Sequence, residues 1–167
     1  MVYYMAMKLH NLTVCIITGC ILLSPIAAWP EDDHLKDIDK VRASMTAMGY
    51  KLPEAINTTN PKNIRTLERV FEINNYALVT IESYFKMLKI FSLASDRNDK
   101  DALPIINGWL TFITGYCESD MKYLDEARME MVGENERKIV SEEKENISKL
   151  MDAARKGINE NLRAFGN

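Results

Sequence analysis

The chain changes character at about its thirtieth residue. Before Glu31 it is almost uncharged, and after it apolar residues return at three- and four-residue intervals to the C-terminus. That spacing places apolar side chains on one stripe of a helix, and no stretch alternates as a strand would. Four helical segments are predicted. The first covers about Asp33–Met48, with Leu35, Ile38, Val41, Met45 and Met48 on its stripe. Gly49 then offers a stop, and Gly49–Asn60 reads as a connection around Leu52-Pro53.

Asn60-Pro61 marks the second start. An Asn side chain caps free amides, and proline in the first turn loses no hydrogen bond. From there Ile64, Leu67, Phe71, Asn74, Leu78, Ile81, Phe85 and Leu88 form a heptad seam with one polar member. Asn74 is expected to fix register by finding partners for its buried amide; the alternatives are partial exposure and contact with a ligand. Ser95–Lys100 is the next turn, and Asp101 the next cap. The third seam is Leu103, Ile106, Leu110, Ile113, Cys117, Leu124 and Met131, ended by Gly133. The fourth is Ile139, Ile147, Leu150, Ala154, Ile158, Leu162 and Phe165.

Short turns between long helices predict an all-α, up-and-down bundle: three long antiparallel helices, with a shorter N-terminal helix covering one end. Should the helix instead run straight through Gly133, an elongated coiled coil requiring a second chain would result.

The segment ahead of this bundle decides where the chain works. Its apolar centre, Leu12–Leu23, suits the core of a signal peptide and is short for a membrane span. Ser24-Pro25 break it, and Ile26-Ala27-Ala28 offers a cleavage site. Residues 1–28 therefore read as a cleaved signal and 29–167 as one helical domain, periplasmic or secreted. Ile17-Thr18-Gly19-Cys20 offers a competing lipoprotein box. However, Cys20 leads into Ile21-Leu22-Leu23 rather than a polar tether. An uncleaved anchor is the third option.

Net charge is −3 over the whole chain and one unit more negative without Lys8. No basic face exists for phosphates, which argues against nucleic acid and against strong adhesion to an anionic membrane. With the signal removed, His34 is the sole histidine and Cys117 the sole cysteine. A histidine triad, a two-histidine zinc site and an intramolecular disulfide are then impossible within one chain. Glu31-x-x-His34 has the spacing of a di-iron ligand pair, yet it occurs once and at an expected helix start. Cys117 reads as a small buried residue, with an intermolecular bridge or a redox thiol as the alternative. Glu68 and Glu72 lie among Arg65 and Arg69, an ion-pair face rather than a catalytic carboxylate pair. No cofactor and no enzymatic activity are expected. Asn57-Thr58-Thr59 and Asn146-Ile147-Ser148 match the glycosylation pattern.

Ala102–Cys117, "ALPIINGWLTFITGYC", is uncharged and apolar on several sides. Trp109, Phe112 and Tyr116 make an aromatic stripe, and Gly108, Thr111 and Gly115 a small one. Either this is a central helix clasped by its neighbours, or these faces are partly open as a groove. The candidate binding residues are Asn74, Gly108, Trp109, Thr111, Phe112, Gly115, Tyr116 and Cys117. The functional expectation is an exported, non-enzymatic protein acting through helical faces on another protein or on its own copies. The alternative is a carrier of a small apolar ligand or cofactor within the bundle.

Overall fold

A computed structural model describes residues 33–94 and 102–165 of the chain, which fall within one compact unit. The segment expected to be a signal, its Ala28 and Cys20 cleavage options, Glu31, the 95–100 turn and Asp101 lie outside the described residues. Among the described residues there are four α-helices and no strand: α1, Asp33–Thr58; α2, Ile64–Ala94; α3, Ala102–Glu130; and α4, Glu134–Phe165.

The first helix departs from the expected pattern. α1 continues through Gly49 and Pro53 for 26 residues in all, so the bundle has four long helices and no short capping one. An interior proline removes one hydrogen bond and crowds the carbonyl four residues back, at a cost of about 3 kcal/mol. The stripe explains the tolerance. Ile38, Val41, Met45 and Met48 are followed in the same register by Leu52 and Ala55, both buried. Burying a Leu side chain returns roughly 1.5–3 kcal/mol. A Lys51–Glu142 ion pair to α4 holds the same stretch.

Asn60 behaves as its sequence suggests. Its side chain accepts from the Lys62 amide at 3.0 Å, ahead of a single 3-10 turn at Pro61–Asn63 that leads into α2. Gly133, at φ 126°, is the chain's sharp reversal between α3 and α4. That conformation is costly for any residue with a Cβ. The two reversals meet at one end of the bundle. Asn63, buried, donates to the Val132 carbonyl at 2.8 Å and accepts from the Val132 amide at 3.2 Å. Thr59 Oγ1 donates to Glu136 at 2.6 Å beside it.

Neighbouring helices run antiparallel. Lys156–Asp37 and Ser44–Asn146 join α4 to α1, and Arg42–Glu82 joins α1 to α2. Lys144–Asp125 and Arg155–Glu118 join α4 to α3. The chain closes on itself, and the seam is buried without a second copy. Most of the expected core is buried, including Leu67, Ile81, Leu110, Ile113, Leu124, Ile147 and Leu150. Leu162 is a correction. It is 59% exposed, because the core on the last turns of α4 rotates toward Gly157 instead. Phe71 and Leu103 are half-buried. The interfaces are unequal: α3–α4 is the most extensive, α1–α4 and α1–α2 follow, and α2–α3 is thin.

Candidate functional site

The thin interface is where the surface opens. A groove of about 680 Å³ runs between α2 and α3, lined by Arg69, Glu72, Ile73 and Tyr76 on one side and Phe112, Gly115, Tyr116 and Asp120 on the other. Tyr76 and Tyr116 stack at a tilt, ring centroids 4.7 Å apart. The Tyr116 hydroxyl donates to the Ile73 carbonyl at 3.1 Å, which fixes the ring against α2. Phe112 is 48% exposed and meets Trp109 edge-on at 6.1 Å. Exposed apolar residues continue beyond the groove as Val79 on α2 and Ile105 on α3.

The small stripe of α3 is not clasped. A Cβ built at Gly108 or at Gly115 meets nothing within 4 Å, and both positions are exposed, as is Thr111. Of the eight candidate binding residues, Phe112, Gly115 and Tyr116 line the groove, and Trp109 supports it through Phe112. Gly108 and Thr111 lie on the same outer side of α3 without lining it. Asn74 and Cys117 point into the core, both with no exposed surface. Asn74 departs further from expectation, since neither of its amide atoms has a hydrogen-bond partner in the protein. Its nitrogen lies 3.3 Å from where a Gly49 side chain would begin.

The core also holds carboxylates that were not anticipated. Asp120 on α3 is only 7% exposed, and Glu143 on α4 has no exposed surface. Each has one carboxylate oxygen without a hydrogen-bond partner. Burial pushes Glu143 up to about 8, against a hydrogen bond from Asn146 and with help from the negative charge of Asp120. Burial also raises Asp120, outweighing the Tyr116 hydroxyl and the Arg69 charge that oppose it. The signal for both lay in the heptad. Asp120 fills the gap between Cys117 and Leu124, and Glu143 the gap between Ile139 and Ile147. The expected Arg69 and Glu72 partnership is present, an exposed contact of 2.8 Å.

His34 sits at the start of α1, as expected, but is buried there. It is 3% exposed, its Nδ1 is 2.6 Å from Glu160, and its Nε2 lies 3.4 Å from the Tyr84 hydroxyl. Burial lowers its pKa despite the Glu160 carboxylate. The ring lies close against Gly157, where a Cβ would come within 2.7 Å of it. Tyr84 is itself fully buried, so this Tyr–His–Glu chain ties three helices together. Cys117 is a free, fully buried thiol pushed up to about 12 by burial. An intermolecular bridge would require the bundle to open. Asn57 is exposed, whereas Asn146 is buried on Ser44 and Glu143, so of these two glycosylation sequences, both among the described residues, the first is the accessible one.

A second cleft, of about 400 Å³ between α1 and α4, is lined by alternating acids and bases, including Asp37, Lys40, Lys149 and Lys156. Its charges answer one another: Asp37 bonds both Lys40 and Lys156. Among the described residues no group of three or more His, Cys, Asp or Glu side chains could hold a metal ion. No described helix is long and apolar enough to cross a membrane. The class defined by fold and site is an antiparallel four-helix bundle with an open, largely apolar groove between α2 and α3. Comparison with family models, curated proteins and solved structures finds no match to the chain.

Proposed function

We propose that the protein is an exported, non-enzymatic binding protein whose α2–α3 groove accepts an amphipathic helix from another protein. The observation that carries this reading is the open floor at Gly115, flanked by half-exposed Tyr76 and Phe112. Packing between helices normally fills such a position. Here two helices present apolar rings and a bare backbone outward, the arrangement a helix-in-groove contact uses. The apolar strip from Asp120 to Ile105 extends about 22 Å at 1.5 Å per residue. That elongated shape suits a helix better than a compact ligand. Trp and Tyr are favoured anchors at such contacts.

Site-specific photo-crosslinking in the producing cell tests the reading. A photoreactive residue at Phe112 should capture one discrete polypeptide, and one at exposed Asp152 on α4 should not. Gly115→Leu, which fills the groove floor, should abolish the Phe112 adduct. An adduct with the mass of the chain itself would make the partner a second copy. If Phe112 captures nothing while native mass spectrometry shows a few hundred daltons bound, the protein is a carrier and the proposal fails.

A further inference from the structure

We infer that the helix seated in the α2–α3 groove carries a lysine or arginine, whose cationic head is received by Asp120 at the groove's inner end. This rests on the groove reading and names the chemistry of its partner. Three observations lead to it. Asp120 lines the groove, is more than nine-tenths buried, and has a carboxylate oxygen with no partner. A buried carboxylate in that condition costs considerably more than a paired one.

The cation nearest in charge terms does not meet the need. Arg69 gives its guanidinium to Glu72 on the exposed flank, 2.8 Å away. The Tyr116 hydroxyl donates to the Ile73 carbonyl and also lies within hydrogen-bonding reach of Asp120, yet one Asp120 oxygen still has no partner. Behind Asp120, toward α4, lies Glu143, which has no exposed surface and offers Asp120 no cation. With Arg69 and Glu72 cancelling, the inner end of the groove is acidic and the rest apolar.

The rings complete the match. Tyr76 and Tyr116 flank the approach to Asp120, and aromatic faces favour a cation over a neutral group. A lysine stem of four methylenes lies well on such rings while its head reaches a polar end. Phe112 and Asp120 are eight residues apart on α3, about 12 Å along the axis. The partner's base therefore sits about two turns from the apolar side chain that covers Phe112 and Gly115. The apolar strip running on to Ile105 and Val79 requires an extended apolar companion to that base, which a helix supplies and a free amine does not.

The test uses two synthetic helices of about 18 residues, long enough to fold on contact. Both present leucines on one face; one carries lysine two turns from its central leucine, the other norleucine there. Binding to the full-length chain is followed through the Gly115 amide signal. The lysine peptide is expected to bind about tenfold more tightly or better. Asp120→Asn should bring the ratio to about one. Should that variant not fold, the lysine–norleucine ratio on the unaltered chain decides alone. Equal affinities with Gly115 shifted by both would overturn the cation inference and leave the groove reading standing. No shift from either peptide would end the groove reading and this inference with it. n-Butylammonium binding as tightly as the lysine peptide would make the source a free amine, and would also overturn it.

Discussion

Glu143 combines complete burial with a raised pKa, and its consequence for stability has a definite sign. An acid whose folded pKa exceeds its unfolded value binds more protons in the folded state. Stability is then full at low pH and falls as pH rises between about 4.5 and 8. Asp120 adds in the same direction. His34, lowered from 6.5 by burial, acts in the opposite sense below that value. Comparison with a Glu143→Gln variant isolates the carboxyl: the variant should exceed the parent by a few kcal/mol at pH 8–9 and converge with it near pH 5 in urea titrations. Asn74 is the neutral counterpart. Asn74→Leu removes an unpartnered buried amide and should raise stability by about 1–2 kcal/mol, unless the nearby Gly49 backbone is displaced. A lower melting temperature would show that the amide is satisfied in solution. Gly157→Ala should go the other way. Its Cβ would overlap the His34 ring and approach Leu110 to 3.0 Å. Overpacking costs about 1–3 kcal/mol and outweighs the helix-propensity gain of up to about 1 kcal/mol.

At the scale of the element, the apolar period was legible and its interruptions were not. Four helices, their caps at Asn60 and Gly133 and most of the core follow from three-and-four spacing, because burial acts on whole stripes. α1 misled because Gly49 and Pro53 are local stop signals, whereas Leu52 and Ala55 gain their energy only from helices far away in sequence. The same bias hid the buried acids. Asp120 and Glu143 occupy seam positions, yet an acid there reads as a gap unless the register is followed strictly. Of the groove, the α3 half was visible as aromatic and small stripes. The α2 half, Tyr76 and Ile73, was not, since which neighbour packs loosely is a property of the assembled bundle. Gly115→Leu makes this checkable. With open space above it, the substitution should leave the melting temperature equal or slightly higher. A large loss of stability would mean that the face is covered in the free protein.

For the whole molecule, closure within one chain sets what can be reached from outside. Cys117 lies at the centre of α3 with no exposed surface and a thiol pushed up to about 12. Reaction with a thiol reagent should therefore be slow in buffer and accelerate with denaturant in step with unfolding. Rapid labelling without denaturant would show that the bundle breathes at its centre. The reciprocal bonds between Asn63 and Val132 give the four helices one pinned end. On the α2–α3 side, where packing is thinnest, that end can serve as a hinge. A bulky partner would then be accommodated by spreading the two helices progressively away from the pin, with the α1–α4 contact as the spine. Amide exchange would record it as a gradient: slow and unchanged at Val132, and increasingly altered toward Ile105 as the guest grows larger.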